Sequence, residues 1–250
     1  MRKILIVCLF LLILALTGCG SINTGSVSSY AGVNIKEFNY EKTLYGTHKI
    51  DIEIHLENIN YSDAAAKLTE KLIYQDKNFD DYAAYLEERF IENYVEGYYP
   101  LLFNDDGTQY YFKSSLKENY KIEYHDNNFI IIHYNSYVYT SGAAHGIPRI
   151  QYYIIDIAQE KILTASDIIT PVSDAVLKEL IVKEYDILFF LRDNIWPPDS
   201  INVSKDGVFL LWNVYTITAY VYGPIYINLP QEIAESHLTE KGKALVNAGR

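Results

Sequence analysis

The eleven residues from Thr47 to Glu57 constrain this chain more than any other stretch, because they alternate without a fault. Ile50, Ile52, Ile54 and Leu56 share one parity; Lys49, Asp51, Glu53, His55 and Glu57 share the other. A period of two places the two sets on opposite faces of an extended backbone, so the stretch predicts a strand with one buried face and one wet face. A slip of one residue would expose the whole apolar set, so the register is specified too. Any fold for this chain must therefore provide a layer that covers those four side chains.

The same period returns from Tyr134 to Ile157, read as YNSYVYTSGAAHGIPRIQYYIIDI. A run bearing Tyr137 and Tyr139 enters the loop Ser141-Gly142-Ala143-Ala144-His145-Gly146, and a second strand, Arg149 to Ile157, leaves it. Further strands are expected over Asn34–Tyr45, Thr108–Lys113 and Tyr120–His125, with Asp126-Asn127-Asn128 turning into Phe129–Tyr139. Asn202-Val203 and Val208–Tyr215 form a hairpin about Asp206-Gly207, and Thr216–Leu229 adds extended chain kinked at Gly223-Pro224.

Helical spacing occurs in separate blocks. Ser62 can cap a helix from Asp63 to about Tyr74, and Tyr82, Leu86, Phe90 and Tyr94 form a stripe on a second helix over Phe79–Glu96. The acids on the far side of that stripe read as a solvated face, not a paired-carboxylate site. A third helix is expected from Ser173 to about Leu191, after Pro171, and a short one over Gln231–His237 precedes a polar tail, 241–250. Strands and helices in blocks, not in alternation, predict an α+β fold: a largely antiparallel sheet with packed helices in a single compact body.

The amino terminus carries an address. Arg2 and Lys3 precede an unbroken apolar run, Ile4 to Leu16, whose 13 residues fall short of the roughly 20 that span a bilayer. The run therefore reads as a signal peptide, 1–18. It closes on Leu16-Thr17-Gly18-Cys19, which resembles the lipobox of bacterial lipoproteins; the resemblance implies cleavage before Cys19 and lipidation of its thiol. The Ser-, Gly- and Asn-rich stretch 19–33 follows as an expected flexible tether. Cys8 leaves with the leader, so no disulfide within one mature chain supports the fold. The expected location is extracytoplasmic, on a bacterial membrane, with the leaflet open.

Charge narrows the partners. The mature chain holds 19 basic against 32 acidic residues, a net −13, which disfavours nucleic acid and favours a basic protein. Tyrosine is abundant at 24, against 10 Phe and 2 Trp. An AT-rich genome accounts for that excess, and so does a contact surface, since tyrosine offers a flat apolar face and a polar tip.

The loop 141–146 has two readings. Gly142 and Gly146 permit backbone conformations closed to other residues, and Ala143 and Ala144 let another chain approach. As a structural corner, the loop would use His145 to bond a nearby backbone carbonyl. As a partner-binding loop, it would use Tyr137, Tyr139, Arg149 and Tyr152 as adjacent anchors. A third, catalytic reading joins His133, His145 and Asp156 at a metal, although their spacing matches no metal motif and no G-x-S-x-G elbow is present.

The loop, with Tyr152, Asp156, Glu160-Lys161, Leu163 and Asp167 after it, resembles the start of the DUF3298 domain. The later series Val208-Phe209-Leu210, Tyr215, Ala219, Tyr222-Gly223 and Ile225–Leu229 resembles its continuation. The block before it is similar to the DUF4163 region. The resemblance divides the chain into a DUF4163-like half, 34–140, and a DUF3298-like half, 141–240, sharing one sheet. It also implies an extracytoplasmic recognition module related to the external domain of RsiV-type anti-sigma factors, which binds lysozyme. The expected function is thus a lipid-anchored, non-enzymatic binding module without cofactor or metal. Its partner would be a lysozyme-like basic protein or, alternatively, cell-wall glycan; a metal-dependent hydrolase is the remaining alternative.

Overall fold

The computed structural model describes residues Ser21–Thr24, Ser28–Tyr30, Val33–Leu44, His48–Ile59, 63–94, 112–186, 195, 197–204 and 206–248. The expected signal peptide 1–18 and the expected lipidation site Cys19 lie outside them.

The alternating stretch sits in strand β4, His48–Ile59, where Ile50, Ile52, Ile54 and Leu56 are all buried. Strand β3, Val33–Leu44, pairs antiparallel with it along its whole length. On the outer side of β3 lie two short strands, β1 (Ser21–Thr24) and β2 (Ser28–Tyr30), both antiparallel to it. These segments fall inside 19–33, the stretch read from sequence as a tether. Backbone groups along an open edge can pair with any chain, so a polar segment can join a sheet without an apolar signature.

Strand β5, Phe112–His125, runs parallel to β4. Parallel neighbours cannot be joined by a tight turn, so the intervening chain crosses over and brings two helices with it. These are α1, Asp63–Ile73, and α2, Phe79–Tyr94. Leu68, Phe79, Tyr82 and Phe90 from the helices cover Ile52 and Ile54 of the sheet. The sequence predicts two strands, Thr108–Lys113 and Tyr120–His125; 108–111 lie outside the described residues, and the remainder belongs to one long strand. Ser114, Leu116, Glu118 and Tyr120 alternate as buried residues, but two of the four are polar and hide the period.

Antiparallel strands β6 (Phe129–Tyr139), β7 (Ile147–Asp156) and β8 (Lys161–Leu163) complete the sheet. Phe129, Ile130, Ile131 and Ile132 are all buried although they alternate in direction, because both faces of the sheet are covered here. Ile130 and Ile132 join the helix-side core; Phe129 and Ile131 join a second core.

That second core belongs to a layer of its own. A three-stranded antiparallel sheet, β9 (Ser200–Ser204), β10 (Gly207–Trp212) and β11 (Ile225–Asn228), packs with helices α3 (Ala165–Ile168), α4 (Asp174–Tyr185), α5 (Gln231–His237) and α6 (Glu240–Ala248). Helix α6 replaces the expected polar tail 241–250: Leu245 is buried and Lys241 pairs with Asp156 of β7. The molecule is α+β, with one parallel pairing among the antiparallel ones of the described residues.

Candidate functional site

The loop 140–146 closes the β6–β7 hairpin, where Tyr137 stands opposite Pro148 and Val138 opposite Ile147. Its first turn is closed by the Ala143 N–H donating to the Thr140 carbonyl at 3.1 Å, with Gly142 at φ +85°, a backbone that favours glycine. Gly146 is buried for a different reason: a Cβ there would meet Tyr137 Cζ at 2.1 Å. The missing side chain lets the tyrosine ring lie directly on the backbone.

The outer edge of β7 is tied down by side chains. Asn213 accepts from the Ile150 N–H at 2.7 Å and donates to the Ile150 carbonyl at 3.0 Å. Ser200 Oγ does the same for Tyr152, at 2.7 and 3.2 Å. Pro148 is next in this outward series, and as an edge position it loses no ladder donor.

The docking of Asn213 on β7 sets the course of the chain as it leaves β10. The Thr216 hydroxyl and Asn213 N–H both donate to Asp199, and between them Tyr215 adopts φ +68°. A bulky residue in this region costs about 1–3 kcal/mol, sustained by the surrounding bonds. Its side chain is thereby turned over the hairpin loop. The Tyr215 hydroxyl meets His145 Nε2 at 3.2 Å, and His145 Nδ1 meets the Gly146 carbonyl at 3.1 Å. A carbonyl can only accept, so Nδ1 donates, and in the neutral imidazole Nε2 then accepts from the phenol. The Tyr220 hydroxyl donates to the same carbonyl at 3.0 Å, and its ring stacks on the imidazole with centroids 3.5 Å apart. Tyr220 opens a short 3-10 turn, Tyr220–Tyr222.

His145 thus bonds a backbone carbonyl, as in the corner reading, while tyrosines surround it, as in the binding reading. Exposure decides which residues remain available. Among the described residues, the exposed large apolar side chains are Tyr137 at 38%, Ile147 at 51%, Tyr215 at 47% and Val221 at 80%. All four belong to the hairpin end and the segment bonded to it. Gly142 and Ala144 are exposed at the tip, and Ala143 and Tyr139 are half-buried.

Two of the anchors expected from sequence lie elsewhere. Arg149 is opposite Ser136, which is opposite Glu118, so it projects from the helix side of the sheet, away from Tyr137. Tyr152 is half-buried under the second layer and stacks on His133 at 4.9 Å. The residues that sequence reasoning missed are Ile147, Tyr215, Tyr220 and Val221. Tyr215 stood in the ordered series of the family resemblance, but nothing local in the sequence links it to a loop 70 residues away.

The metal alternative finds no geometry. His133 lies by Glu123 and Tyr152, His145 by Tyr215 and Tyr220, and Asp156 by Lys241 and the Gln159 N–H. Among the described residues no group of three His, Cys, Asp or Glu side chains is placed to hold a metal. A polar cleft of about 450 Å³ crosses the wet face of β3–β5, but its acids are matched by lysines: Glu41–Lys49 at 2.8 Å, Asp51–Lys113 at 2.6 Å and Glu53–Lys117 at 2.6 Å. The buried carboxylate of Glu118 lies inside a tyrosine network instead. Burial pushes it up from the ordinary glutamate value, against hydrogen bonds from Tyr134 and Tyr120.

Residues 156–232 match the family model described as "Protein of unknown function (DUF3298)". A solved structure of a DUF3298 family member from Bacteroides fragilis is 19% identical, with a TM-score of 0.65 over 91% of this chain and 99% of that one. A DUF3298 family protein from Pseudomonas aeruginosa is 15% identical, with a TM-score of 0.52 over 87% of this chain and 96% of that one. At such identities the likeness is one of fold. No curated protein matches the chain. The matched residues supply β9–β11 and the tyrosine-bearing segment, while the loop 141–146 lies just before them.

Proposed function

We propose that this protein is a lipid-anchored, non-enzymatic binding module of the bacterial envelope, and that it grips its partner with the tyrosine-lined end of the β6–β7 hairpin. The observation that carries this reading is the exposure of Tyr137, Tyr215 and Val221 at one end of the molecule, with Ile147 exposed at the same end on the other face of the sheet. Large apolar side chains left exposed at one end mark an interaction site on a protein that otherwise buries such groups. The strained backbone of Tyr215 points the same way, since strain of this kind is retained where a side chain must be displayed.

The lead partner is a basic muramidase of the lysozyme class, which the net −13 of the mature chain would attract. Lysozyme immobilised on resin should retain the purified protein at low salt and release it as ionic strength rises. Tyr215→Ala and His145→Ala should each weaken retention by about 2 kcal/mol, whereas Arg149→Ala, on the opposite face, should not. If wild type passes through at low salt, lysozyme is not the partner.

The stacked rings favour a second reading, a glycan laid on tyrosine faces. Binding to purified wall glycan that is indifferent to salt, yet lost in Tyr215→Ala, would establish it over the first.

A further inference from the structure

The sheet register places the residues next to the expected anchor at the same end of the molecule as the tyrosine patch. Strand β1 pairs with β3 so that Ser21 is opposite Glu41. Glu41 is opposite Asp51, Asp51 opposite Ser115, and Ser115 opposite Tyr139. Ser21 and Tyr139 therefore stand in one row across the sheet, and the loop 140–146 begins immediately beyond that row. The chain also enters β1 from this end, because β1 runs antiparallel to β3, whose residues 42–44 continue beyond Glu41.

Covalent geometry then limits how far the body can stand from its lipid. Cys19 precedes Ser21 by two residues, a reach of at most about 7 Å. A 13-residue tether would have allowed about 45 Å, but β1 and β2 use part of that stretch as sheet edge. Along the row from Ser21, four inter-strand steps of about 4.8 Å separate β1 from β6, roughly 19 Å. A lipid at Cys19 thus holds one corner of this sheet end against the bilayer. The other corner of the same end carries Ile147, on the helix side of β7, and Val221, on the segment bonded to the loop; among the described residues these are the two most exposed of the large apolar side chains.

We infer that this end of the sheet lies on the membrane, with Ile147 and Val221 as a second point of contact that enters the lipid interface. The inference rests on the Cys19 anchoring of the proposed function and deepens it. Aliphatic side chains gain by leaving water for the acyl boundary, and tyrosine rings are at home at the headgroup level, where one end is apolar and the other wet. The chemistry recognised is a neutral lipid interface, because the net −13 of the mature chain disfavours anionic headgroups. With two corners fixed, the body cannot swing about its lipid, and the rings of Tyr137 and Tyr215 meet a partner at the membrane surface, not out in the envelope space.

Spin-label depth measurements on the full lipoprotein test this. With Cys8 removed and Cys19 acylated, an introduced cysteine is the sole free thiol of the mature chain. Ile147→Cys, Val221→Cys and, at the β5–β6 turn of the opposite end, Asn127→Cys are each labelled with a nitroxide in phosphatidylcholine vesicles. Flotation of the vesicles, compared with Cys19→Ala, reports anchoring separately. The expected result is a several-fold higher ratio of oxygen to water-soluble nickel collisions at 147 and 221 than at 127. Equal ratios at all three sites in protein that floats would overturn the second contact and leave the anchor standing. Protein that fails to float would overturn the anchor and this inference with it.

Discussion

At the scale of single residues, the candidate site depends on an atom that is missing. Gly146 has no Cβ, and the ring of Tyr137 occupies the place where one would lie, 2.1 Å from Cζ. Gly146→Ala must push the far end of that ring aside, and because Tyr137 is partly exposed it has somewhere to go. The expected cost to stability is about 1 kcal/mol, at the mild end of overpacking. Tyr137→Ala should remove most of that cost, so a double-mutant cycle read by chemical denaturation should give a coupling of about 0.5–1 kcal/mol. Simple additivity would show that the ring does not rest on the glycine. Parity separates two of the tyrosines on this hairpin. Tyr134 and Tyr137 point to opposite sides of β6, and the first is buried while the second is exposed. Tyr215 was not legible, because its display depends on a positive φ and on an asparagine docked across 63 residues of sequence.

At the scale of elements, the strands that alternate apolar with charged residues were readable, and those that bury polar groups were not. Strand β4 follows the first pattern, and β5, with Ser114 and Glu118 inside, follows the second. The carboxy-terminal helix α6 escaped for a related reason: its inward residues are few, with Gly242 against the Ile168 carbonyl and Leu245 in the core. Its hold on the sheet is electrostatic as well. Asp156 is nearly buried, which would push its carboxyl up, yet the Lys241 ammonium and the Gln159 and Ala158 N–H groups hold it below the ordinary aspartate value. A depressed folded-state value stabilises the protein above the unfolded value and is lost as pH falls through the folded one. Lys241→Met should therefore cost about 2 kcal/mol at pH 7. The gap to wild type should narrow as pH falls below about 4, where the unfolded aspartate is protonated. A gap constant from pH 7 to pH 3 would rule out the pair as its source. Leu245→Ala, which removes packing and no charge, should cost about 2–4 kcal/mol with no such pH dependence.

For the molecule as a whole, the issue is whether two cores make two folding units. The chain has one core under α1 and α2 and another among α3–α6 and β9–β11, and the family match lies mainly in the second region. Strand β6 argues against separation. Ile132 belongs to the first core and Ile131, its neighbour, to the second, and the two share one backbone hydrogen-bonded to β5 and β7. Neither layer can come away without exposing one of these side chains, and local loss of β6 strips both cores together. Ile131→Ala and Ile132→Ala remove a similar buried volume from opposite faces and should each cost about 2–5 kcal/mol. More informative than the size is the form of the transition. In both variants, thermal unfolding followed by tyrosine fluorescence, with the core tyrosines mainly on the helix side, should coincide with that followed by tryptophan fluorescence, to which Trp212 of the second core contributes. If Ile131→Ala shifted the tryptophan transition to lower temperature and left the tyrosine transition in place, the two layers would be independent domains, and the shared strand would be a contact between them.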